Sequence, residues 1–151
     1  MKVIYAPSKI PTRVDPDCTM LFLAGSIEQG TAEEWQTRVS MYLADKAVIL
    51  LNPRRLDWDS SWVQSKDNPQ FREQVEWELY GLEQANRILL YFDPATKSPI
   101  SLLELGLHAY DNKLIVCCPD GFWRKGNVDI VCEKYQITQI KKLTEIRDLI
   151  K

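Results

Sequence analysis

The sequence predicts one α/β domain, a single-domain doubly wound parallel sheet of about five strands flanked by helices. Two observations carry that expectation. Short apolar runs alternate along the chain with helical patterns long enough to cross over between parallel strands. The 151 residues, 45% hydrophobic and 26% charged, have the number and balance of one unit that buries a core without disulfides or a structural metal.

The first run, residues 20–24, is halted by Gly25 and Ser26. Thr31 and Glu34 have the spacing of a capping box, after which Trp35, Val39, Tyr42 and Leu43 recur on one helical face. Residues 47–51 form the second run, and a polar, aromatic loop follows over residues 52–68. Asn68 before Pro69 is a helix start, and the periodic Phe71, Val75, Leu79 and Leu82 carry this helix to about residue 85. The third run, residues 87–92, ends at Asp93-Pro94. Ser98-Pro99 then repeats the cap-then-proline signal and opens a helix to about Tyr110. Residues 114–118 make the fourth run, residues 128–132 a short fifth, and residues 143–150 a closing helix. A ligand cleft is expected at the strands' carboxyl ends, which puts residues 25–30, 52–62, 93–98 and the loop after Cys118 around it.

Composition removes several classes of function. A formal charge of -2 and a pI near 5.5 give no electropositive footprint for holding polymeric nucleic acid. No apolar run approaches the roughly 18 residues of a membrane span and the first residues lack a signal peptide's apolar stretch, so a soluble cytoplasmic protein is expected. Cys18, Cys117, Cys118 and Cys132 have no C-x-x-C or histidine partners, so no metal is expected and the thiols read as small packing groups. His108 is the only histidine, and no serine or cysteine stands in a G-x-S-x-G context, which argues against a nucleophile triad. With neither G-x-G-x-x-G nor a Walker motif, no cofactor is implied.

Two carboxylates stand out instead. With the helix after Asn68 laid out at about 100° per residue and Phe71 at zero, Val75, Leu82 and Leu79 fall at roughly 40°, 20° and 80°. Glu78 falls at about 340°, within that apolar stripe. Glu73, Glu76 and Glu83 fall outside it, and Trp77 lies opposite, where it would mark an oligomer interface. A carboxylate buried without a partner costs several kcal/mol, so Glu78 is paired, is functional, or reaches solvent near a helix end. In the next helix Ile100, Leu103, Leu107 and Tyr110 share one face, and Leu102, Leu105 and Ala109 the opposite one. That helix is therefore expected to be covered on both sides, with Glu104 between. A capping box with Ser101 would explain Glu104, but Ser98-Pro99 is the stronger start and moves Glu104 into the second turn, where it reads as a functional acid. Two such acids suit retaining chemistry at an anomeric carbon. One attacks, kept ionised by donated hydrogen bonds, and the other, its pKa raised by burial, manages the leaving group's proton.

Leu103-Glu104-Leu105-Gly106-Leu107 after Ser98-Pro99-Ile100, Trp77-Glu78-Leu79-Tyr80-Gly81-Leu82 upstream, and Phe22-Leu23-Ala24-Gly25-Ser26-Ile27 near the start resemble the nucleoside 2-deoxyribosyltransferase family. The loop Asn52-Pro53-Arg54-Arg55 with Asp57-Trp58-Asp59 is similar to its "-like" branch, and the resemblance runs from about Met20 to Cys118. It implies a flavodoxin-like, Rossmann-like sheet and a ping-pong exchange of bases on 2-deoxyribose, of use in nucleotide salvage, with deoxynucleosides and free nucleobases as partners. Glu104 matches the family's nucleophile, which forms a covalent deoxyribosyl intermediate. Glu78 stands where the family carries an aspartate that orients and protonates the base; here it is one methylene longer. The family's second cleft acid falls at Ser98, with Asp93 able to compensate. The resemblance also implies a dimer-based homo-oligomer in which a neighbouring subunit lends an asparagine, for which Asn127 is a candidate.

Other residues fit a nucleoside cleft with a structural alternative beside each. Gly25 and Ser26 allow close approach of backbone to a sugar, or simply end a strand. Arg54 and Arg55 suit a 5′-phosphate, or pair with Asp57 or Asp59 to shape their loop. Trp58, Trp62 and Trp123 can stack on a base or close a core. Two further functions stay open: a hydrolase of the same fold acting on 2′-deoxynucleoside 5′-monophosphates, and a non-catalytic nucleotide-binding or signalling domain.

Overall fold

In the computed structural model, which describes residues 1–27 and 34–151, six parallel strands form one sheet with helices on both faces. In chain order the elements are β1 (Lys2–Tyr5), β2 (Thr19–Gly25), α1 (Trp35–Tyr42), β3 (Val48–Asn52), α2 (Pro69–Gln84) and β4 (Arg87–Tyr91). They continue with α3 (Pro99–His108), β5 (Leu114–Cys117), α4 (Lys125–Lys134), β6 (Thr138–Ile140) and α5 (Ile146–Leu149), the last preceded by a 3-10 turn over Leu143–Glu145. The strand order is β1-β3-β2-β4-β5-β6. Without the edge strand β1 this is the flavodoxin-like order, and the expected fold class holds.

The four long apolar runs become the four central strands because both of their faces are covered. Met20, Phe22 and Ala24 pack with Trp77 and Leu82 of α2, Leu105 of α3 and Val128 and Cys132 of α4. Leu21 and Leu23 pack on the other face with Trp35 and Val39 of α1 and with Ile146 beside the closing turn. Asn68 caps α2, its Oδ1 accepting from Phe71 N at 3.0 Å, with Pro69 in the first turn. Thr31 lies outside the described residues, and Glu34, at the cap position of α1, makes no side-chain cap hydrogen bond.

Several expectations are corrected. The sheet has six strands, not about five, because the edge strands β1 and β6 are short and mostly exposed and so leave no apolar run. Residues 128–132 are not a strand but the middle of α4; Val128 and Cys132 are buried one turn apart while Ile130 between them is exposed. The buried stripe of α2 is not Phe71-Val75-Leu79-Leu82 but Gln74, Trp77, Gly81 and Leu82. Trp77 therefore marks no oligomer surface. It packs on Phe22 with ring centroids 6.1 Å apart, and its indole N–H donates to Ser8 O at 2.7 Å. Gly81 makes this possible, since a Cβ there would lie 2.7 Å from the Phe22 ring. Finally, α3 is covered on one side only: Ile100, Leu103, Leu107 and Tyr110 are all more than half exposed.

Candidate active site

The helix after β2 packs on one face of the sheet and the helix after β4 on the other, while β2 and β4 are neighbours. Their carboxyl ends therefore flank the switch point at which a doubly wound sheet opens a crevice. Gly25 ends β2 with φ +135°, and a Cβ would fall 2.3 Å from Tyr91 O, so glycine is required here by β4 itself. Ser26 follows, fully buried. Its Oγ accepts from Asp93 N at 2.8 Å and Thr96 Oγ1 at 2.9 Å, and lies against Ser98 Oγ. Ser98 caps α3 in position but not in chemistry: its backbone is left-handed, φ 47°, and its hydroxyl turns inward to Ser26 and to Thr96 Oγ1 at 2.7 Å. Asp93, also buried, accepts from Ala95 N at 2.9 Å and so fixes the turn that carries this hydroxyl cluster.

The α3 start at Ser98-Pro99 leaves Glu104 in the second turn, beside buried Ser101 and Leu105, which rules out the capping-box explanation. Glu104 is 8% exposed as a residue, and among the described residues its carboxyl accepts no hydrogen bond. Burial first, and the nearby charge of Glu78 second, push its pKa up to about 8. This differs from the expectation of a nucleophile kept ionised by donated hydrogen bonds: the donor goes to the other acid. Gln74, one turn before Glu78 on α2, donates from Nε2 to Glu78 Oε1 at 2.7 Å and to Pro53 O at 2.8 Å. Burial raises the Glu78 pKa and this hydrogen bond opposes the rise. Two carboxyl groups from consecutive helices thus lie near enough for the charge of one to raise the pKa of the other, and burial raises both.

Around the pair, Asn52 ends β3 and is buried, its Oδ1 accepting from Arg54 N at 3.0 Å. Arg54 Nε donates to Gln36 Oε1 of α1 at 3.0 Å. Among the described residues Gln36 Nε2 and Gln74 Oε1 are buried without a hydrogen-bond partner, and both amides reach the Pro53–Arg54 turn through their other atom. Arg55 is taken up by its own loop, pairing with Asp57 Oδ1 at 2.7 Å and Glu73 Oε2 at 2.6 Å and lying over Trp62. The structural alternative therefore holds for Arg55. Asp57 faces solvent as its partner, and Trp58 packs edge-on against Trp62 with centroids 5.1 Å apart. Asn127 is exposed on the first turn of α4. His108 ends α3 with Nδ1 2.6 Å from Asp111 Oδ2.

Thus Ser26, Asp93 and Ser98 come together in one network, Asn52 and Arg54 in one turn, and Glu78 with Glu104. Asp57, Trp58 and Asn127 belong to other local arrangements. Gln36, Gln74 and Thr96 escaped sequence reasoning. For Gln74 the only signal was its place four residues before Glu78. Burial has raised the Cys117, Cys118 and Cys132 thiols to about 12, 11 and 12, so they remain protonated packing groups. Among the described residues, no three His, Cys, Asp or Glu side chains converge as metal ligands, and no helix is long and apolar enough to cross a membrane.

The site is thus a doubly wound α/β sheet with buried Glu104 and part-buried Glu78 on the two consecutive helices that flank β4. The family model described as nucleoside 2-deoxyribosyltransferase like matches residues 18–122 of the 151, and the chain belongs to that family. No individual curated protein matches it. The matched span contains every element that bears Glu78, Glu104 and the hydroxyl cluster.

Proposed function

We propose that the protein transfers 2-deoxyribose between nucleobases with net retention, through a deoxyribosyl ester on Glu104. The observation that carries this reading is the Glu78–Glu104 pair, two carboxyl groups on consecutive helices whose pKa values burial raises and whose charges act on one another. Without substrate, Gln74 favours the proton on Glu104 and the charge on Glu78. Moving that one proton to Glu78 gives the reactive arrangement: Glu104 carboxylate attacks C1′ while the departing base takes the proton from Glu78. In the second half, Glu78 carboxylate removes a proton from the incoming base as its nitrogen attacks C1′ and releases Glu104. Protons balance across the cycle, and two inversions give retention. Gly25, Ser26, Asn52, Arg54, Asp93 and Ser98 line the strand ends where the sugar and base would lie; Asp57 and Trp58 would belong to the loop beyond, and Asn127 would be lent to a second subunit.

The oligomer is part of this proposal. Ile100, Leu103 and Leu107 of α3, with Tyr110 just past its end, form an exposed apolar ridge that borders Glu104. A second copy is its proposed occupant, which would clamp the helix that carries the nucleophile.

Exchange with an isotopically labelled free base tests the activity directly. Incubated with the unlabelled deoxynucleoside, the protein is expected to move label into the nucleoside, and Glu104→Gln to lose at least about a thousandfold of that rate. Base release that ignores the acceptor would replace transfer with hydrolysis. Undiminished exchange by a folded Glu104→Gln protein would remove the nucleophile assignment.

A further inference from the structure

We infer that a second cavity, on the face of the sheet opposite α3, is a binding site for the phosphate group of a small ligand. The cavity has a volume of about 220 Å3 and lies at the carboxyl ends of β4 and β5, floored by Tyr91 and Cys117. Arg38 reaches it from α1, and Lys141, Lys142 and Thr144 from the segment that follows β6. Cations thus line the concavity from two segments, with Thr144 also on its wall; Arg38 donates besides to Tyr42 Oη at 3.3 and 3.2 Å, and together they offer several donors to a tetrahedral oxyanion.

Three observations favour an anion here over a solvated basic surface. No acidic side chain lines the cavity among the described residues. Glu145, next in the chain to the lining residue Thr144, is turned to the backbone, accepting from Lys141 N at 3.3 Å and Lys142 N at 3.1 Å. Arg55, Arg72, Lys125 and Arg147 each hold a carboxylate, whereas neither Lys141 nor Lys142 has an ion-pair partner among the described residues. The pocket is wide enough for a phosphate and part of its carrier, so a phosphate monoester is the ligand class. Tyr91 is the last residue of β4, next to the Gly25–Ser26 turn, which puts the cavity at the same end of the sheet as the carboxyl pair. It uses neither Arg54 nor Arg55.

The test is a titration followed through backbone amide resonances, with inorganic phosphate, a nucleoside 5′-monophosphate and the unphosphorylated nucleoside as three separate probes. It needs no turnover, so a protein without transferase activity still gives an answer. Saturable shifts confined to Cys117, Leu143 and Thr144 are expected with the first two probes and not with the third. They should weaken about tenfold in a Lys141→Glu/Lys142→Glu variant and on raising the salt. Tighter binding of the monophosphate identifies a nucleotide as the ligand, and equal binding identifies free phosphate. Both lysines are exposed, and an unchanged far-ultraviolet spectrum checks that the variant folds; Arg38→Gln gives a second, milder loss. Shifts that do not saturate, that spread over the surface, or that persist at the same midpoint in the double variant would overturn the assignment.

Discussion

A carboxyl group whose pKa rises on folding stabilises the protein only while it is protonated. Glu104 is carried from an ordinary value of 4.5 to about 8, so between those limits the folded chain binds a proton that the unfolded chain has lost. Stability attributable to this residue is therefore complete below about pH 4.5 and falls as pH rises to 8. Glu104→Gln removes the titration, and its thermal midpoint should exceed the parent's by several degrees at pH 9 and by nothing at pH 4, a difference on the order of 4 kcal/mol. Equal midpoints at both pH values would mean that the carboxyl is well solvated. Gln74 supplies a second check. Replacing it with Leu withdraws the donor that favours ionised Glu78, so the acidic limb of the rate profile should move to higher pH; an unmoved limb would separate Gln74 from the proton-managing group. Glu104 was legible in the sequence because a charge on an apolar helix is conspicuous. Gln74 was not, because a neutral amide breaks no pattern, and its role depends on Pro53 from another element.

Helix α3 is held by one face and bare on the other. Leu105, Ser101 and Glu104 turn inward, while Leu107, at the centre of the outer ridge, is 55% exposed. If a second copy covers that ridge, Leu107→Glu should convert a dimer to a monomer in sedimentation velocity and lower transfer with it, since burying an unpaired carboxylate outweighs what the remaining apolar contacts supply. A parent protein that sediments as a monomer would refute the dimer. Periodicity found both apolar faces of α3 but gave no means of knowing that Ile100, Leu103 and Leu107 of one face would remain more than half exposed, with only Tyr110 packed, against Tyr135 at 4.6 Å between ring centroids. The error on α2 has a similar origin. Its inward stripe is set by Gly81, whose missing side chain lets Phe22 approach, and a hydrophobic pattern does not count glycine as buried. At the end of β2, Gly25→Ala would meet both a positive φ and the Tyr91 carbonyl, so it should destabilise the fold by roughly 2 to 4 kcal/mol in denaturant unfolding. A variant as stable as the parent would show that the β2–β4 closure can relax.

Across the whole molecule, the alternation of apolar runs and helices was enough for the parallel sheet and its winding, because each central strand is covered on both faces and so writes a continuous hydrophobic signal. The edges were not legible, since β1 and β6 are held mainly by backbone pairing to β3 and β5. The site follows from the winding. Helices leaving β2 and β4 on opposite faces open the crevice, and the crossover through α2 brings Glu78 to α3's Glu104, 26 residues apart in sequence. The central step proposed is the covalent bond between Glu104 and the sugar. Acid-quenched protein that has met a deoxynucleoside should yield, on proteolysis and mass spectrometry, a deoxyribosyl group on the peptide containing Glu104, absent from Glu104→Gln. Continued base exchange with no modified peptide, or with the sugar found on Glu78, would contradict it.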